Sequence, residues 1–285
     1  MFHEGLGGLA QSGTLAKVPE NGGRVRYGVV VFPGSNCEHD TLHVLTTVLG
    51  QNADLVWHED TDLSPYDCII LPGGFAHGDY LRAGAIARFS PVMSAVERFA
   101  AGGGPVWGIC NGFQVLVEAG LLPGAMLQNA GLRFVCRWVH VRVESSATPF
   151  TRGIAPGTVL RMPVAHHEGS YFVDADALGG LERRGQVVLR YCDAEGRSAP
   201  SANPNGSVAA IAGVCNEAGN VFGLMPHPER CAEAILGGED GRRLFDAIAV
   251  ADQGQRLGAK GQAMEQWPAE ARDQQLSRRQ ALVGR

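Results

Sequence analysis

The chain has 285 residues, 45% of them hydrophobic, with a formal charge of −5 and a pI near 6.0, which allows one large or two small domains with a sizeable buried core. This balance leaves no basic stripe for nucleic acid; no window approaches the roughly 18 unbroken apolar residues of a membrane span, and no secretory signal opens the chain, so a cytoplasmic protein is expected. The seven cysteines, at 37, 68, 110, 136, 192, 215 and 231, form no CxxC pair and no zinc-spaced cluster, so reduced thiols and no metal site are expected.

Residues 1–25 are Gly-rich and aperiodic and read as an N-terminal extension. Next, "RVRYGVVVFPGSN" predicts a strand and a turn, and "CEHDTLHVLTTVLG" a helix with Leu42, Leu45, Val48 and Leu49 at helical spacing. "ADLVWHED" and "YDCIILPGGF" predict short strands, and "AGAIARFSPVMSAVERFAAGG" is largely helical and closes on glycines. "GPVWGIC" then predicts a buried strand and "NGFQVLVEAGLL" a helix. From about residue 131 the texture turns to strands and hairpins, with "EAGN" a turn between "AAIAGVCN" and "VFGLM". "DGRRLFDAIAV" predicts a closing helix, and 251–285 a polar tail, solvated or disordered. The expected fold is α/β: one domain over 26–250, with a mostly parallel central sheet flanked by helices and additional β-hairpins.

Gly108, Cys110 and Gly112 form a GxCxG pattern at a strand-to-helix junction. Such an elbow holds a nucleophile in a strained turn, and side chains at the flanking positions would strike the neighbouring strand or the helix. A helix N-terminus favours a thiolate by about 0.3 to 1 kcal/mol against 1.36 kcal/mol per pKa unit, so a base is also required. Taken alone, GxCxG fits a nucleophile and a packed structural turn equally well.

In "LMPHPERC", Pro226 and Pro228 predict extended backbone, in which His227 and Glu229 point to one side, as a base and its orienting carboxylate would. A Pro-stiffened surface loop is the competing reading. Gly73 and Gly74 follow a predicted strand, and their N–H groups together with that of Asn111 can converge on an oxyanion. A plain turn or a phosphate cradle uses the same glycines, but no GxxxxGK[ST] phosphate loop occurs in the chain.

"GICNGFQVLVEAGLLPGAML", "LPGGFAHGDYLRAGAIA", "VVVFPGSNCEHD" and "GLMPHPER" closely resemble the glutamine amidotransferase subunits of phosphoribosylformylglycinamidine synthase, over about residues 26–250. The resemblance implies a class I amidotransferase, flavodoxin-like fold, with Cys110 as nucleophile, His227 as general acid/base and Glu229 as its partner. It places the oxyanion loop at Gly73 and Gly74 and a glutamine contact at Gln114. It also implies no cofactor in this chain, a synthetase subunit carrying ATP and magnesium, and a small third subunit. His167 stands where the family commonly has glycine, and Ala76 and His77 where it has Ser-Tyr. Two other activities share parts of this pattern: a stand-alone cysteine hydrolase or peptidase of related fold, and a non-catalytic member, which would lack a triad residue.

Overall fold

Strands and helices alternate through the first half of the chain: β1 (Arg26–Val31), α1 (Glu38–His43), β2 (Asn52–Trp57), β3 (Cys68–Leu71), α2 (Pro91–Ala101), β4 (Val106–Ile109) and α3 (Asn111–Glu118). The second half holds β5 (Ala125–Leu127), β6 (Val135–Val143), β7 (Val159–His166), β8 (Ser170–Phe172), α4 (Ala175–Arg183), β9 (Val187–Cys192), β10 (Ile211–Cys215), β11 (Val221–Leu224) and α5 (Arg242–Gly254). The computed structural model describes residues 25–254, the side chains of 250–254 excepted. The expected extension before Val25 and most of the expected polar tail lie outside the described residues.

Nine of these strands form one sheet in the order β2-β1-β3-β4-β11-β10-β9-β6-β7, and β5 pairs with β8 apart from it. The four pairings from β2 to β11 are parallel. Those from β11 to β7 are antiparallel, so the hairpins continue the central sheet and do not form a separate layer. Every residue of β3, β4 and β11 is buried, as expected for parallel strands covered on both faces.

Alternation along β4 and β11 separates the two faces. Trp107 and Phe222 stack on one, where Phe245 of α5 lies 4.7 Å from Trp107 between ring centroids. Gly108 and Gly223 look to the other, where α3 packs so closely that a Cβ on Gly108 would lie 2.6 Å from Leu116 Cδ1 and one on Gly223 would overlap the Phe113 ring. Helices thus cover both faces, and the parallel strands β1, β3, β4 and β11 direct their C-terminal loops to one edge, where ligands bind in open α/β sheets.

Several local features differ from the expectations. The first helix ends in a wider π turn over Val44–Val48. Ser90 is extended ahead of Pro91, which divides the predicted long helix into a short 3-10 turn over Ala87–Phe89 and α2. The interior glycines Gly179 and Gly180 disguise α4, although Asp174 Oδ1 caps it by accepting from the Ala177 N–H at 2.8 Å. Pro163 argues against a strand, but β7 lies at the sheet edge, where proline is tolerated.

Candidate active site

Cys110 lies between β4 and α3 with φ 49° and ψ −104°, a conformation rare for a residue with a side chain. Its N–H donates to the Leu224 carbonyl at 2.8 Å, which ties the turn to β11. The flanking glycines act as the spacing predicts: a Cβ on Gly108 would strike the helix, and one on Gly112 would overlap the carbonyl of Leu71 at the end of β3. The thiol is nearly buried, with the Ala165 carbonyl 3.7 Å from Sγ.

His227 enters from the loop after β11, its N–H donating to Pro163 O at 2.9 Å. The ring is 2% exposed, and Glu229 Oε1 lies 2.6 Å from Nδ1. The extended backbone expected here is absent beyond His227: Pro228–Cys231 form a 3-10 turn, which proline accommodates at its first position, and that turn brings Glu229 back to the imidazole. Burial disfavours the imidazolium, but Glu229 and then Cys110 outweigh it and raise the His227 pKa well above the ordinary value. Nε2 makes no hydrogen bond among the described residues, and Cys110 lies near enough to the ring to favour its charged form. A carboxylate on Nδ1 and a thiol beside the same ring are the groups from which a catalytic triad is built.

Gly73 and Gly74 follow β3. A Cβ on Gly73 would lie 2.7 Å from His227 Cε1, so glycine is what lets the loop approach the imidazole; Gly74 has φ +141°. Neither N–H has an acceptor among the described residues. The Gly73 carbonyl accepts from Cys37 N–H at 3.2 Å, and Asn111 Oδ1 accepts from Ala76 N–H at 3.0 Å, fastening the loop to the start of α1 and to the elbow.

The amide of Gln114 is engaged: Nε2 donates to Glu168 O at 2.6 Å, and Oε1 accepts from Asn111 Nδ2 at 3.0 Å. The same Nδ2 donates to Asp79 Oδ1 at 3.0 Å. Partial burial, with the Glu168 carboxylate nearby, pushes Asp79 up to about 6. Behind Cys110, burial and the positive His227 hold His166 near 4, and Asn129 Oδ1 lies 3.1 Å from its Nδ1. The sequence reading singled out Cys110, His227, Glu229, Gly73, Gly74, Asn111 and Gln114, all of which lie at this edge. It did not find Asp79, Glu168 or Cys37, whose proximity depends on the folded loops. Asp79 and Cys37 stand inside the quoted stretches "LPGGFAHGDYLRAGAIA" and "VVVFPGSNCEHD", but nothing in their spacing marks them as neighbours of the Cys110 elbow or of His227.

A family model described as a CobB/CobQ-like glutamine amidotransferase domain matches residues 24–238. The phosphoribosylformylglycinamidine synthase subunit PurQ of Moorella thermoacetica is 59% identical over 236 residues, 82% of this chain and 100% of that protein. The PurQ subunit of Thermomicrobium roseum is 62% identical over 79% of this chain and 95% of its own length. A solved chain of PurLQS from Thermotoga maritima superposes with a TM-score of 0.71 at 44% identity, covering 80% of this chain and 99% of that one. The chain belongs to the CobB/CobQ-like glutamine amidotransferase family, among the PurQ subunits of phosphoribosylformylglycinamidine synthase.

Proposed function

We propose that this chain supplies ammonia by hydrolysing glutamine through a thioester on Cys110, for a synthetase subunit that makes formylglycinamidine ribonucleotide in purine biosynthesis. The observation that carries the reading is the buried His227–Glu229 pair, 2.6 Å apart, beside a thiol in a strained elbow.

The Cys110 sulfur attacks the side-chain amide carbon of glutamine, and its proton resides on His227 Nε2. The carbonyl electrons move onto oxygen, where the N–H groups of Gly73, Gly74 and Asn111 receive the negative charge. As the oxyanion collapses, the carbon–nitrogen bond breaks and Nε2 gives its proton to the departing ammonia, leaving a γ-glutamyl thioester. His227 then takes a proton from water, the hydroxide adds to the thioester carbon, and glutamate departs with Cys110 restored. Glu229 keeps the imidazole in one tautomer and stabilises its charged form. Gln114 contacts the substrate by exchanging its present bond to the Glu168 carbonyl.

Ammonia in water is largely protonated, so efficient transfer requires direct passage to the acceptor. That acceptor, with ATP and magnesium, belongs to the synthetase subunit, assisted by a small third subunit, and this chain contributes no cofactor. A cytoplasmic location fits such an assembly; no helix among the described residues is long and apolar enough to cross a membrane. The test is glutamine-dependent formation of formylglycinamidine ribonucleotide by the reconstituted complex: Cys110→Ala abolishes it, while added ammonium salts still support synthesis. Loss of both activities, or of neither, contradicts the reading.

A further inference from the structure

Cys37 is a second buried thiol at the catalytic dyad, and the reaction described above makes no use of it. It opens α1, and its backbone is fixed on both sides. Its N–H donates to the Gly73 carbonyl at 3.2 Å, and its own carbonyl accepts from Thr41 N–H at 3.0 Å and Thr41 Oγ1 at 2.9 Å. The sulfur lies 4.0 Å from His227 Nδ1, on the ring edge that also meets Glu229. Arg230 Nη2 donates to this sulfur at 3.0 Å. The same guanidinium approaches Asp40 Oδ2 at 3.6 Å and Glu229 Oε1 at 3.9 Å through Nε.

We propose that Cys37, braced by Arg230, is a positioning residue that locks the His227 imidazole between the oxyanion loop and Glu229, with Nε2 aimed at Cys110. The inference rests on the reading of His227 as the acid/base. It follows from what surrounds the ring: the Nδ1 edge meets Glu229 and Cys37, Gly73 approaches Cε1, Cys110 lies near the ring, and Nε2 is without a hydrogen-bond partner among the described residues. Among these neighbours, Cys37 alone touches the ring and also holds the oxyanion-loop carbonyl, so one residue fixes the imidazole relative to the oxyanion donors. A polarisable sulfur suits this place, since it fills the corner without competing strongly for the Nδ1 proton that Glu229 holds.

The Cys37, His227 and Glu229 donor atoms lie within 4.8 Å of one another, a set that also suits a soft divalent cation. The guanidinium on the same sulfur opposes a cation there, and the positioning role accommodates it. The charged and titratable groups facing the imidazole are Cys110, Cys37 and Glu229, with His166 behind Cys110 and Arg230 outside Glu229. Burial is the main influence on the Cys37 thiol and raises its pKa, so it presents a neutral sulfur to the ring at working pH.

The test compares wild type, Cys37→Ala, Cys37→Ser, Cys37→Val and His227→Ala in the full chain. Steady-state turnover is measured in the complex with the synthetase subunit, and the pH profile of iodoacetamide alkylation at Cys110 in the chain alone. Cys37→Ala is expected to lower kcat about tenfold, with the glutamine KM within about twofold, and to move the acid limb of the alkylation profile about half a unit to higher pH. Cys37→Ser keeps a small polar atom against the ring and is expected to recover most of both. A purely packing role would lower the melting temperature without moving the limb. Wild-type kcat and an unmoved limb in Cys37→Ala overturn the proposal; where that variant does not fold, wild-type kcat and an unmoved limb in Cys37→Val, which fills the corner without a polar atom against Nδ1, do so. The acid/base reading fails separately, if His227→Ala retains the wild-type profile and turnover.

Discussion

Replacing Gly112 by alanine tests the elbow most sharply, because the added methyl group meets the backbone of Leu71 at the end of β3. A Cβ there would overlap the Leu71 carbonyl oxygen, 2.6 Å from its carbon and 2.8 Å from Leu71 Cβ. Ordinary carbon contacts lie at about 3.5 to 4.0 Å, so α3 and the end of β3 must part by about 1 Å. Neither side is a flexible side-chain tip. Forcing a methyl into such a place costs about 1 to 3 kcal/mol, which for a domain of this size lowers the melting temperature by about 2 to 12 °C. The same displacement moves Cys110 relative to His227 and the Gly73–Gly74 loop, and 1 Å of misplacement can cost about a hundredfold in rate. The assay is a melt of the isolated chain followed by glutamine-dependent turnover in the complex. A Gly112→Ala protein with wild-type melting and wild-type kcat would refute the close approach of strand and helix that defines the elbow.

Cys110→Gly removes a side chain from φ 49°, ψ −104°; relief of about 1 to 3 kcal/mol of strain offsets the lost thiol packing, so the inactive variant melts no lower than wild type, as calorimetry would register. Glu229→Gln keeps an acceptor for Nδ1 but removes the charge that raises the His227 pKa; kcat in the complex is expected to fall at least about a hundredfold with little change in glutamine KM. Asp79, raised to about 6 in the folded chain, binds more protons there than when unfolded, so the fold loses stability as pH rises from about 4 to 6. This group is only partly buried, so solvent screening reduces the penalty to about 1 kcal/mol; Asp79→Asn should raise the melting temperature by about 2 to 4 °C at pH 7 and leave it unchanged at pH 4.

The parts of this fold legible in the sequence are those governed by short-range pattern. The apolar runs of β1, β3 and β4 and the Gly-Cys-Gly turn identify themselves, because burial on two faces and a strained turn each restrict which residue types fit. The helix α4 was hidden because Gly179 and Gly180 resemble loop, and β7 because Pro163 is acceptable only at an edge that the sequence does not reveal. His227 and Glu229 were paired for the wrong local reason: extended chain was expected, whereas a 3-10 turn after Pro228 brings the carboxylate to the ring. Cys37 was illegible as a site residue, since 190 positions separate it from His227 and only the crossing of β1 and β11 loops at one sheet edge joins them.

The central claim, that Cys110 is the residue glutamine acylates, is tested most directly by exposing the chain to an electrophilic glutamine analogue, alone and with the synthetase subunit. Intact mass and peptide mapping are then read with and without excess glutamine. Seven thiols compete for the label. The account predicts one adduct per chain, on Cys110, suppressed by glutamine and lost in His227→Ala. Adducts scattered over the other cysteines, or none on Cys110 even with the synthetase subunit present, would contradict it.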